Sequence, residues 1–266
     1  MRKSRVLGKL RSGRPVLVAG TSLAPAPQIV EMAGLTGFDC VWLDLEHRDM
    51  DATEINPMIL AGWAHDTDTM VRVRKGGYTT FFRPFESGAT GIMVPHVTTK
   101  EEAQWIVRNA KFPPIGRRGF DGAGRDADYC LMDPKKHLEF ANRETFVVIQ
   151  IEDPEALPNL DKIAAVEGID ILFIGPADLT ISLGIPFDTR HPKFAKVVAR
   201  VAAAAKKHGK FWGLPVGSGE AAVPYLKQGA RFFSCGADLI FVLRGFQGVK
   251  AQFEPVFAAL GAGSKG

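Results

Sequence analysis

The sequence predicts an α/β fold, a single (β/α)8 TIM barrel, and three observations carry that reading. The chain has 266 residues, and one α/β barrel of ~250 residues fills that length without leaving room for a second ordinary domain. Short apolar, often β-branched runs alternate with longer amphipathic stretches from end to end, the pattern of parallel strands joined by helices. Eight strand–helix units fit, about 33 residues each when 266 is divided by eight, close to the ~30 residues of a βαβ module. A doubly wound open sheet is the structural alternative, because strand order is invisible in sequence. However, Ala19-Gly-Thr-Ser22 follows the first strand where a dinucleotide-binding fold would place G-x-G-x-x-G. The barrel is expected over residues 1–260 and a flexible Gly/Ser/Lys tail over 261–266.

Taken in order, Val16 to Ala19 is an apolar strand and Pro27 to Gly34 the helix after it. Phe38 to Asp44 is the second strand, Ala52 to His65 a helix, Met70 to Arg74 the third strand, Thr79 to Ser87 a helix, and Gly91 to Pro95 the fourth strand. Thr99 with Glu102 three positions on has the spacing of a capping box and opens the next helix, which Lys111-Phe-Pro-Pro-Ile115 ends. Residues 112–143 are rich in Gly, Arg and Asp with little periodicity, an inserted excursion of the kind that usually has a functional reason. Phe146 to Ile151 is the fifth strand, Leu157 to Val166 a helix, and Asp170 to Gly175 the sixth strand. A long helix from Pro192 to His208 closes at Gly209. Phe211 to Leu214, the helix Gly219 to Gln228, Arg231 to Ser234 and a helix from Leu239 onward complete the circuit.

Apolar residues make up 46% and charged residues 23% of the chain, enough for a large core and incompatible with global disorder, coiled coil or collagen. The 33 basic and 29 acidic residues leave a net charge of +4 spread along the sequence, which argues against a nucleic-acid partner although the pI is near 9.0. Cys40, Cys130 and Cys235 are odd in number and far apart, so they read as thiols in a reducing, cytoplasmic setting rather than as a disulfide or zinc framework. No run approaches the ~18 apolar residues of a membrane span. The start, Met1-Arg2-Lys3 with Pro15 to Ala19, has too short and too charged an apolar run for a signal peptide.

In a parallel barrel the chemistry gathers at the carboxyl ends of the strands. Glu152 and Asp178 fall just after adjacent strands, where two carboxylates can share one hard divalent cation such as Mg²⁺ or Mn²⁺. His47 lies three residues after Asp44, so that carboxylate can orient the ring and raise its basicity for general-base work. The remaining histidines, including His96 after the fourth strand, read as structural. Arg72 interrupts an apolar strand, where its guanidinium must face a carboxylate, a substrate or an enolate oxygen. Gly175-Pro-Ala-Asp178 sets backbone amides where an anionic ligand can approach closely. No strand interior carries a lysine, which argues against Schiff-base chemistry.

These motifs, Phe38-Asp-Cys-Val-Trp-Leu-Asp-Leu-Glu-His47, Met70-Val-Arg-Val73, Pro113-Pro-Ile-Gly-Arg-Arg-Gly119, Val148-Ile-Gln-Ile-Glu152 and Val166 to Leu179, resemble in order and spacing the HpcH/HpaI aldolases. That family comprises class II pyruvate aldolases of the phosphoenolpyruvate/pyruvate barrel superfamily, and the likeness covers about Arg14 to Val242. The resemblance implies reversible cleavage of a 4-hydroxy-2-oxo acid to pyruvate and an aldehyde through a metal-bound pyruvate enolate. It implies Glu152 and Asp178 as ligands of Mg²⁺, Mn²⁺ or Co²⁺, Asp44 and His47 as a base dyad acting through a water, and Arg72 beside the enolate. Gln150 and the Ala177 amide would lie near pyruvate, and Leu214 would line the aldehyde side. It further implies a homo-hexamer, a trimer of dimers exchanging the last helix, so that Leu239 to Ala259 packs on a neighbour. Val73 and the stretch Phe120 to Tyr129 depart from the family pattern and bear on acceptor choice. Two other readings compete: a coenzyme A thioester lyase of the citrate lyase beta or malyl-CoA lyase type, and a silent barrel binding an anionic polymer through Arg117, Arg118 and Arg125.

Overall fold

The computed structural model describes residues 2–263. Its sheet is a closed barrel of eight parallel strands in sequence order, β1 (Val16–Gly20), β2 (Cys40–Asp44), β3 (Asp68–Arg72), β4 (Gly91–Val94), β5 (Phe146–Ile151), β6 (Ile171–Ile174), β7 (Phe211–Pro215) and β8 (Phe232–Ala237). β8 closes on β1 with a register shift between Val18 and Gly20. The open sheet is thereby excluded, and the eight strands are those the sequence predicts, with ends displaced by up to three residues.

Strand alternation divides the core in two. Inward residues such as Val18, Met70, Phe146, Phe173 and Phe232 fill the barrel axis, and outward residues such as Val41, Ile92, Ile149 and Trp212 pack under the helices. An unexpected helix, α1 (Arg5–Arg11), seals the amino-terminal end of the barrel with Val6, Leu7 and Leu10. The Ser4 hydroxyl caps it by accepting from Leu7 N–H, and its basic residues Arg5 and Lys9 pair with Asp39 at 2.9 and 2.7 Å. Lys111 is also at this end, donating to the Thr145 carbonyl at 2.6 Å, and burial pushes its pKa down.

The outer helices include α2 (Pro27–Leu35), α3 (Ala52–Ala64), α4 (Tyr78–Glu86) and α5 (Lys100–Ala110), the last opened by the Thr99–Glu102 capping box. The excursion is more ordered than its sequence suggests. It contains α6 (Pro134–Glu144) and a buried knot in which Arg118 pairs with Asp126 at 2.6 Å and lies over the Phe112 ring, with His137 packed edge-on against Phe112. Arg118 is therefore spent inside the fold and Arg125 donates to the Ser87 carbonyl at 2.9 Å, so two of the three arginines of the excursion have internal partners.

After α7 (Leu160–Ala164) come α8 (Pro176–Ser182), α9 (Pro192–Lys207), α10 (Gly219–Lys227) and α11 (Asp238–Gly263). α11 runs through Gly263, and residues 264–266 of the expected tail lie outside the described residues. Its first turn is anchored by Asp238, which accepts from the Ser22 and Leu23 amides at 2.6 and 3.0 Å. Beyond that turn the helix leaves the barrel, and Phe246, Val249, Phe253, Val256 and Phe257 are 51–72% exposed. A groove of about 430 Å³ is left on the outer face of β8 and β1, lined by Leu17, Ala222, Leu226 and Phe233 among others.

Candidate active site

The alternation that places Trp42, Met70, Val148 and Phe173 on the barrel axis carries two residues further along each chain to Asp44, Arg72, Gln150 and Gly175 at the carboxyl-end mouth. The register sets Asp44 directly beside Arg72. Asp44 accepts from Arg72 Nε and Nη2 at 2.9 and 2.6 Å, a bidentate pair, and Glu46 Oε2 lies 3.0 Å from Nη1. Burial would raise the Asp44 pKa, but the Arg72 hydrogen bonds and charge, with the amides of Glu46 and His47, outweigh it and hold the carboxyl below its ordinary range.

This corrects the expectation for His47. Asp44 meets the backbone N–H of His47 at 3.4 Å, not its ring, because both carboxylate oxygens are committed to Arg72. The imidazole stands at the mouth, 55% exposed, with Glu46 Oε2 as its acidic neighbour at 3.8 Å.

Glu152 follows β5 and is 1% exposed. One oxygen accepts from the His96 backbone N–H at 2.9 Å, and the other from the Gln150 side-chain amide. Burial, reinforced by the charges of Glu46 and Asp178, pushes its pKa up to about 7 against the opposing pull of His96. Asp178 sits in the first turn of α8, half-buried, within electrostatic reach of Glu152. Gly175 separates them for a steric reason: a β-carbon there would lie 2.8 Å from Gln150 Nε2 and closer still to Glu152.

His96, read from sequence as structural, instead sits in this acidic cluster. Its backbone φ of +54° turns its amide toward Glu152, while Nδ1 lies 3.1 Å from Asp153 and Nε2 3.5 Å from Glu46. Burial would lower its pKa, but Glu152, Asp153 and Glu46 together raise it. Its place after a strand end was the signal for it. Glu46 and Asp153 carried a weaker one, each being adjacent in sequence to a residue already singled out.

Leu214 is a second correction. On β7 it points outward with Trp212 into the layer under the helices and is 2% exposed, so it does not line the mouth. The inward positions of that strand are Phe211, Gly213 and Pro215. Ala177, exposed in the first turn of α8, leaves its amide among those that have no intrahelical acceptor.

The donor set suits a hard divalent cation. Glu152 and Asp178 supply oxygen only, acidic neighbours crowd Glu152, and Gln150 Oε1 is buried with no hydrogen-bond partner among the described residues. Among the described residues, no three His, Cys, Asp or Glu side chains form a ready-made metal cage. Two carboxylates leave the rest of a Mg²⁺-like coordination sphere to water and substrate oxygens.

Comparison with known proteins matches residues 22–244 to the family described as HpcH/HpaI aldolase/citrate lyase. The 5-keto-4-deoxy-D-glucarate aldolase of Klebsiella pneumoniae is 33% identical over 213 residues, 80% of this chain and 82% of that one. The hydroxypyruvate/pyruvate aldolase of Roseobacter denitrificans is 33% identical over 225 residues, 84% and 87% of the two chains. The crystal structure of an HpcH/HpaI aldolase from Desulfitobacterium hafniense superposes with a TM-score of 0.88 at 29% identity, covering 93% of this chain and 96% of that one.

Proposed function

This chain belongs to the HpcH/HpaI aldolase/citrate lyase family and is a pyruvate aldolase, a carbon–carbon lyase, and from that premise we propose that it acts, with a divalent cation, on 4-hydroxy-2-oxo acids of the sugar-acid kind. The observation that carries the reading is Glu152: a buried carboxylate with acidic neighbours, at the carboxyl end of the barrel, that sheds its proton near neutral pH. Glu152 and Asp178 would hold Mg²⁺, Mn²⁺ or Co²⁺, and binding there would release the Glu152 proton. Such a cation supplies Lewis-acid polarisation of the 2-oxo group.

The residues of the chain do the rest. His47, with Glu46 beside it, takes the proton of the 4-hydroxyl at the mouth. The C3–C4 bond then breaks, the aldehyde leaves, and its electron pair stays on the pyruvyl fragment as the enolate. Arg72, fixed by Asp44, offers its remaining N–H groups to the oxygen that gains charge. Gln150, Gly175 and the Ala177 amide shape the floor and wall for the pyruvyl carboxylate. Condensation runs the same steps backwards. Both curated relatives described above, each 33% identical, are named as aldolases, which favours this over a thioester lyase.

Deuterium exchange at the pyruvate methyl group tests the proposal. Exchange is expected with Mn²⁺, lost in EDTA and lost in Glu152→Gln; exchange that survives EDTA and is trapped by borohydride would sink it.

We further propose a homo-oligomer, a hexamer built as a trimer of dimers, in which α11 of one protomer covers a neighbour. The exposed apolar stripe on α11 and the open groove on β8 and β1 support this. No helix among the described residues is long and apolar enough to cross a membrane. Cys40, Cys130 and Cys235 are unbridged, in keeping with a cytoplasmic site of action.

A further inference from the structure

We propose that Trp42 is a positioning residue for this reaction: its indole is the platform on which the Arg72 guanidinium rests, fixing which edge of Arg72 meets the enolate oxygen. The inference builds on the role given to Arg72 above. Trp42 and Asp44 both face the barrel axis from β2, and β3 places Met70 beside Trp42 and Arg72 beside Asp44. The Arg72 side chain returns over the indole, its guanidinium carbon 4.7 Å from the ring centroid. Asp44 takes Nε and Nη2 in the guanidinium plane, and the indole takes one face. Glu46 Oε2 lies 3.0 Å from Nη1, so with Asp44 on one edge, Glu46 beside Nη1 and the indole on one face, the N–H groups left on the Nη1/Nη2 edge are those turned toward the mouth.

Trp42 is in turn fixed from below. Phe173 meets it edge-to-face at 5.8 Å, and Phe173 rests on Phe232 at 5.9 Å. The indole Nε1 is buried with no hydrogen-bond partner among the described residues. An unpaired buried N–H is a cost that leucine or phenylalanine would not carry, so space filling alone does not account for an indole here. Its electron-rich face, which attracts a cation more strongly than any other aromatic ring, does.

The test uses the full-length, Mn²⁺-loaded enzyme and oxalate, a planar mimic of the enolate. Trp42→Leu is expected to lower kcat for pyruvate exchange roughly tenfold and to weaken oxalate by a similar factor, with the pyruvate KM nearly constant, a size in keeping with a desolvated cation–π contact. Trp42→Phe should recover most of both. If Leu and Phe variants of equal melting temperature behave alike, the inference is overturned. A shape-neutral second probe covers variants that fail to fold: replacing all tryptophans by mono-, di- and trifluorotryptophan should reduce kcat and oxalate affinity stepwise. A flat series overturns the inference as well. Arg72→Lys separates the two readings. Unchanged exchange in that variant removes the role of Arg72 itself, whereas loss there with no Leu/Phe difference at position 42 removes only the platform.

Discussion

Gly175 stands where the smallest side chain would already collide with Gln150 and Glu152. Gly175→Ala should therefore displace Glu152 and weaken Mn²⁺ binding at least tenfold, measured by electron paramagnetic resonance titration, with little change in melting temperature. A substitution that leaves Mn²⁺ affinity intact would show that Glu152 can be held from another side. Asp44, Arg72 and Glu152 were legible in the sequence because a charge in or beside an apolar strand demands a partner. Leu214 was not, because whether a strand residue faces the axis or the helices depends on its parity relative to the barrel, which a short apolar run does not reveal. His96 escaped for a different reason: its neighbours Glu46 and Asp153 come from other strands, and only closure of the barrel brings them together.

The excursion between α5 and β5 shows how an element can hide. Its Gly- and Arg-rich first half has no periodicity, yet α6 follows with Asp133 as its cap and Pro134 in its first turn, signals that stand in the sequence. The Arg118–Asp126 pair is nearly inaccessible to water, so Asp126→Asn strands a buried guanidinium and should cost about 3 kcal/mol in urea unfolding. His137 adds a pH dependence. Burial, with Arg118 nearby, lowers its pKa despite Asp126, so the folded protein keeps the ring neutral while the unfolded chain takes up a proton near ~6.5. The stability it contributes is complete above that value and is lost as pH falls through it toward the lower folded value. Thermal melts between pH 7.5 and 5 should show a steeper decline for the wild type than for His137→Phe; parallel curves would exclude the histidine as the cause.

For the molecule as a whole, closure into a barrel was readable from the number of alternating units, since eight strand–helix pairs have few other economical arrangements. What counting could not reveal is that the last helix does not return to cover β8 and β1. Phe246→Glu combined with Phe253→Glu places charge on the bare stripe of α11 and should shift the protein to a smaller species in sedimentation. Unaltered sedimentation would mean that this stripe is not the contact.

At the opposite pole from the chemistry, Ser4 N–H meets Glu144 across 140 residues of chain, and the Ser4 hydroxyl meets Asp68 across 64. This amino-terminal stopper is therefore among the last segments to find its seat, because the socket exists only once distant strands have come together. Until then its Val6, Leu7 and Leu10 are without their berth, so in pulse-labelled exchange the amides of this segment should gain protection after those of the staves.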